Sequence, residues 1–378
     1  MTDATDGKAG STRQLLQFSA GYFLSYMATG ILVKYFTAIR QPPMSELAYL
    51  VNNTAGSSLL ALGVVLALGW YRLKSNGKCD LLGFTVPVEY RYIIPSGICT
   101  AVIIPTTTLM YLLPISVMVA MVLMRGSVIV ISRLVDAIQI RQGILKKTVY
   151  AEENWAVLFA ILAVATNVLF IPVVNALEAR GVPAAAMFRI SQKDRQGAFD
   201  FLSNGAALAI MGSYIIAYAI RIYIMNYYKN TRAPGVPQDN KGFFAVEQIA
   251  ATVTMFLAAL VLFFASGLVG FSGPVVEEFR AAIRSPAWDA VVSGIPWGIV
   301  AFFSVFLFMF QGRTATFAGL VNRLVSLLAG TAATLVLALV WGQSPPKPQD
   351  WVAFGFILVA VAFLSRAEKK RSMELARR

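Results

Sequence analysis

"TTLMYLLPISVMVAMVLMRGSVIVISRLV" (residues 107–135) and "VNRLVSLLAGTAATLVLALVWGQSPP" (residues 321–346) decide how this chain is read. Each is a long apolar run with an arginine set well inside it, Arg125 in the first and Arg323 in the second. A helix of about 20 residues crosses the hydrocarbon core of a bilayer, and both runs are long enough to do so. A charge at a helix centre costs about 2.5–3.5 kcal/mol on insertion scales. Such a residue is therefore expected to face a hydrated cavity, a partner or a helix end.

Working outward, apolar runs fall at residues 15–36, 47–70, 92–113, 115–138, 155–174, 201–224, 244–269, 290–310, 316–341 and 351–364. The reading is an all-α polytopic membrane protein of about ten transmembrane helices. Prolines 95, 105, 172 and 296 fall within the runs. Neighbouring helices can satisfy the backbone groups they free. Composition agrees, with 57% hydrophobic and only 13% charged residues, whereas a soluble domain carries about 25% charged.

The 378 residues include two cysteines and no histidine. That removes the commonest general base and metal ligand, so a Ser-His-Asp triad or a zinc hydrolase is excluded by residue type. No metal site, catalytic residue or cofactor is implied. The net charge of +13 fits Lys and Arg gathered in cytoplasmic segments rather than a nucleic-acid surface. With alternating spans, basic residues concentrate in the segments sharing a side with both termini, including Arg72, Lys74, Lys146, Lys229, Arg313 and Lys370. Both termini are then cytoplasmic, and the compact loops suit a bacterial inner membrane. The boundaries read as a disordered tail (1–14), five helices (15–174), an extracytoplasmic loop (175–200), five more helices (201–365) and a basic tail (366–378).

Four marks recur at nearly one offset. Arg125 and Arg323 lie 198 apart, "LMY" (109–111) and "FMF" (308–310) 199, Tyr22/Tyr26 and Tyr214/Tyr218 192, and Glu46 and Glu247 201. Two halves of five helices follow. Five is odd, so the second half inserts upside down, the inverted repeat seen in many secondary transporters.

Residues 107–135 also resemble the third-to-fourth helix hairpin of the drug/metabolite transporter superfamily, in its nucleotide-sugar-transporter-like (solute carrier 35-like, EamA-like) branch. The "LMY" end, the short turn and the "MRGSV" segment carry the likeness, with Met124 where the family usually has Leu. Residues 321–346 look like its ninth helix and the loop after it. The resemblance implies alternating access around a central cavity lined by both halves, with the fifth and tenth helices peripheral.

Candidate substrate-binding residues are Arg125, Arg323, Asn322, Tyr26, Tyr218, Asn52, Asn53, Tyr111 and Lys34. For both arginines a structural reading stands beside the functional one, namely bonding helix-end carbonyls or a carboxylate. Asn52 and Asn53 suit either cavity lining or interhelical packing. Lys34, near the end of its span, can snorkel to headgroups. Glu247 is a proton-coupling candidate if buried; at a helix start it would simply suit the dipole. Arg133 and Asp136, three apart, are expected to pair locally. Two deep arginines with no evident mid-helix acid favour an anionic or zwitterionic metabolite. The expected function is secondary transport of a small-molecule substrate across the lipid bilayer; a homodimer is compatible with the sequence. The alternatives are a non-transporting scaffold or assembly subunit with a carrier-like fold, or a membrane-embedded transferase. No Walker motif for ATP-driven pumping is present.

Overall fold

The computed structural model describes residues 11–81, 83–112, 117–187, 205–269, 273–343, 345–346 and 348–376. Helix α1 (Thr12–Lys34) starts at Ser11, whose hydroxyl accepts from Gln14 N at 3.2 Å, satisfying an otherwise orphaned amide. It thus begins inside the stretch expected to be a disordered tail. A wider turn, Tyr35–Ile39, prolongs it. Helix α2 (Glu46–Ala67) is capped in the same way by Ser45. The antiparallel hairpin β1 (Lys78–Leu81) and β2 (Phe84–Pro87) then precedes α3 (Tyr90–Leu112), a feature the sequence reading lacked.

The remaining helices are α4 (Val117–Arg141), α5 (Ala151–Glu178), α6 (Ala184–Met187), α7 (Gly205–Asn230), α8 (Asn240–Val269), α9 (Pro274–Arg284), α10 (Trp288–Val292), α11 (Ile295–Phe308), α12 (Ala315–Trp341) and α13 (Pro348–Ala376). Among the described residues, seven helical stretches are long and apolar enough to cross a membrane: Thr12–Ile39, Glu46–Ala67, Ala207–Asn230, Asn240–Phe264, Trp288–Phe308, Ala315–Trp341 and Asp350–Leu375. Helices α3, α4 and α5 run 23, 25 and 28 residues. The described residues are all-α apart from the hairpin, with the helices of a multi-pass membrane protein.

Several boundaries are corrected. The run expected at 290–310 is broken at Ser293–Gly294 into α10 and α11. Pro296 sits in the first turn of α11, where its missing N–H costs nothing. Helix α5 extends past 174 to Glu178, and α6 occupies part of the expected 175–200 loop, whose residues 188–200 lie outside the described residues. The tail expected from 366 is the last part of α13, 29 residues long. Hydropathy falls there because the residues are charged, yet Glu368 and Arg371 are buried. Their charges are met by partners: Arg313 on Glu368 at 2.5 Å, and Arg371 on Glu153 at 3.5 Å.

Helix α1 packs on α11 and α12, α7 on α3 and α4, α3 on α8, α2 on α11, and α5 along α13. One apolar core lies chiefly among α3, α4, α7 and α8, with Phe306 and Phe308 of α11. A second gathers α1, α5, α11, α12 and α13. Glycines permit the closest approaches, as small residues do in membrane bundles. A Cβ on Gly97 would lie 2.6 Å from Glu247 O in α8, and one on Gly298 would lie 3.0 Å from Ser57 O in α2. These glycines belong to a second internal match, "IPSGI" (94–98) and "IPWGI" (295–299), offset by 201.

Candidate functional site

Tyrosines four apart share a helix face, so α1 presents Tyr22 and Tyr26 together and α7 presents Tyr214 and Tyr218. Their ring centroids are 5.6 and 4.7 Å apart within each pair. Helix α12 brings Asn322 and Arg323 against them. The Tyr22 hydroxyl donates to Asn322 Oδ1 at 3.4 Å, and Asn322 Nδ2 donates to Ser304 Oγ of α11 at 3.1 Å. The Arg323 guanidinium carbon lies over the Tyr218 ring, 5.0 Å from its centroid, a cation–π geometry. Trp297 closes on Tyr26 at 6.1 Å.

Arg125 comes from α4. The Tyr214 hydroxyl donates to the carbonyl of Met124, one residue before it, at 3.2 Å. The Arg125 guanidinium reaches α12 at Gly330, 3.9 Å from where a Cβ there would stand. Gly330 lies seven residues beyond Arg323, two turns along the same helix face. Tyr22 lies within electrostatic reach of both arginines. Arg125 and Arg323 are only 8% and 7% exposed, and neither forms an ion pair with a described residue.

The structure therefore brings together Arg125, Arg323, Asn322, Tyr26 and Tyr218, and adds Tyr22 and Tyr214, the more buried member of each pair. Asn52, Asn53 and Lys34 lie elsewhere. Asn52 donates to Ala48 O at 2.8 Å and accepts from Ala287 N at 3.0 Å. Asn53 donates to the Tyr49 hydroxyl at 3.1 Å and to Ser293 Oγ at 3.4 Å. Both thus tie α2 to the α10 segment, the packing role amides often take. Lys34 is exposed in the last turn of α1. The side chain of Tyr111 lies outside the described residues.

Glu247 is buried, but it is not at a helix start. Seven residues into α8, it accepts from Arg221 Nε and Nη2, both at 2.9 Å, and from Ser96 Oγ at 2.6 Å. This mid-helix acid corrects the expectation of none. Arg221 went unremarked because its partner is on another helix, 26 residues on. One signal was readable: Arg221 continues the Tyr214–Tyr218 face by one turn. Arg221 is neutralised by Glu247, while Arg125 and Arg323 have no such partner among the described residues.

One end of the helices carries a second group of buried charge. Asp136 of α4 does not pair with Arg133, which donates to Asn154 Oδ1 instead. It accepts from the amides of Ala315 and Thr316 at 2.9 and 2.6 Å, a carboxylate on the N-terminus of α12. Beside it, Arg313 Nε and Nη2 fork onto Glu368 at 2.8 and 2.5 Å, and Thr314 donates to Glu153 at 2.7 Å. At the same end, Glu89 accepts from Asn76 N at 2.6 Å, from Arg232 Nη1 at 2.7 Å and from the Ser75 hydroxyl. Burial pushes the Glu89 carboxyl up, but these hydrogen bonds outweigh it and hold it below the usual glutamate range. Among the described residues, no cluster of His, Cys, Asp or Glu could hold a metal ion.

No protein-family model matches the sequence, and no curated protein does. A solved crystal structure aligns with 95% of this chain and 99% of its own, with a TM-score of 0.54 and 16% identity. At that identity the likeness concerns the fold alone.

Proposed function

We propose that this protein is a secondary transporter of the drug/metabolite type, moving a small anionic or zwitterionic metabolite by alternating access. The observation that carries the reading is the convergence of Arg125 and Arg323, from α4 and α12, on tyrosines of α1 and α7. Two deep positive charges without a carboxylate partner among the described residues favour an anionic ligand group. Unpartnered arginines among tyrosine rings at mid-bundle suit a carrier's substrate site better than an enzyme's, which needs an acid or base beside the reacting bond.

The architecture we propose is ten membrane-spanning helices in two halves inserted in opposite senses. In it α1–α5 correspond to α7, α8, α11, α12 and α13. Exchanging the halves turns the α1–α12 packing into α7–α4, α1–α11 into α7–α3, and α3–α8 into α11–α2, all of which occur. The offsets of 198 between the arginines and 201 between the IPxGI segments support the same relation. Both termini lie in the cytoplasm of a bacterial cell on this reading, supported by the basic residues around Arg313, Lys370 and Arg371 at their end.

Uptake into proteoliposomes of candidate metabolites tests the proposal. Arg125→Ala and Arg323→Ala are each expected to reduce uptake at least about tenfold, the size of one lost charge-assisted contact. Uptake unchanged in both variants removes these arginines from the mechanism.

A further inference from the structure

Three buried arginines of this chain expose the same edge, formed by Nε–H and the Nη2–H that points the same way. In Arg221 that edge holds the Glu247 carboxylate, both distances 2.9 Å. In Arg313 it holds the Glu368 carboxylate at 2.8 and 2.5 Å. Nε and Nη2 of Arg323 are equally buried, and neither makes a hydrogen bond with a described residue. Arg323 as a whole is 7% exposed. Leaving donors of a buried charge unsatisfied is costly, so a native site with such an edge points to a ligand.

We infer that the group received by Arg323 is a carboxylate, bound side-on by Nε–H and Nη2–H as Glu247 and Glu368 are bound elsewhere in the fold. The inference rests on the carrier reading of the same site and names its substrate class, a small organic carboxylate. Arg323 Cζ lies over the Tyr218 ring at 5.0 Å, so a ligand meets the guanidinium at the unpartnered Nε–Nη2 edge rather than from the ring side. A planar two-oxygen group fits that approach bidentately. A tetrahedral phosphate brings a third oxygen that the two donors of this edge leave unmet. The body of the molecule then lies among the tyrosine rings. Arg125, about 10 Å further along α12, is placed for a second polar or anionic group.

The test is thermal unfolding of the purified full-length protein with benzoate, pyruvate, succinate and glutamate. Each is paired with its neutral-ended amide (benzamide, pyruvamide, succinamide, glutamine); inorganic phosphate and choline are run alongside. A ligand that prefers the folded state raises the unfolding temperature by mass action. At least one carboxylate is expected to do so where its amide does not. Arg323→Lys, which keeps the charge and loses the fork, should weaken that carboxylate about tenfold or more. Equal stabilisation by acid and amide, stabilisation by phosphate or choline in preference, no effect of any carboxylate, or undiminished binding by the variant would each overturn the assignment. The acid–amide comparison is made on the unaltered protein and decides the matter even if the variant does not fold. Arg323-dependent carboxylate binding without uptake into proteoliposomes would sink the carrier reading and leave the carboxylate site standing.

Discussion

The two ends of the helix bundle are held in different ways. At the end shared by the first turn of α1 and the last of α13, the ties are buried carboxylates: Asp136 on the α12 amides, Glu368 on Arg313, and Glu89 on Arg232. At the other end the described ties include an ion pair between Arg40 and Asp289 at 2.7 Å, with side chains 35% and 53% exposed, the Arg280 guanidinium on the Phe263 carbonyl at 2.9 and 2.6 Å, and the uncharged amides of Asn52 and Asn53. A buried pair is strongly destabilising to break, because one charge is left uncompensated, whereas an exposed pair contributes little. The cluster of Arg323, Arg125 and the paired tyrosines lies between these ends. On the carrier reading, the first end is the closed gate, and its opening must exchange buried carboxylate contacts for water.

The largest expected effect at the closed end is that of Arg313→Gln. It leaves Glu368 buried with only the Thr12 hydroxyl, at 2.8 Å, as a described donor. Loss of about 3–5 kcal/mol is expected, read as a marked fall in unfolding temperature; a variant as stable as the parent would dissolve the distinction between the ends. A smaller effect is expected from acid. Because the Glu89 carboxyl is held below its ordinary value of 4.5, its stabilisation is complete above that value and is lost as pH falls through the lower folded-state value. Glu89→Gln should lower stability at neutral pH and flatten this acid limb of the unfolding profile, while an unaltered limb would place the acid sensitivity elsewhere. The smallest effect is that of Arg40→Ala, about 0–1 kcal/mol and screened further by salt. A loss as large as that of Arg313→Gln would mean the two ends are held equally.

Much of this was legible in the sequence, for reasons particular to each residue. A charge inside an apolar run is conspicuous, so Arg125 and Arg323 stood out, and the paired tyrosines declared a common face by their spacing of four. Arg221 and Glu247 did not, because their significance lies in a contact between α7 and α8 that spacing cannot express. The end of α13 is hidden from hydropathy, which registers only the charges of Arg366, Glu368, Lys369, Lys370 and Arg371 and not that Glu153 and Arg313 wait to receive that stretch. Asn52 and Asn53 stand out in the sequence by residue type alone, and type does not distinguish a substrate contact from a packing amide. The IPxGI pair, by contrast, was readable from the start, with its glycines set where α3 meets α8 and α11 meets α2.

The central claim is that the closed end must open for transport, and a reversible crosslink tests it most directly. A Cβ on Gly319 would lie 2.8 Å from the Ser132 Cβ, so a shift of about 1 Å brings a cysteine pair to disulfide geometry. With Cys79 and Cys99 replaced by serine, Ser132→Cys plus Gly319→Cys would join α4 to α12 beside Asp136. The account predicts that oxidation stops proteoliposome uptake and that reduction restores it. Full uptake with the bond formed would contradict it.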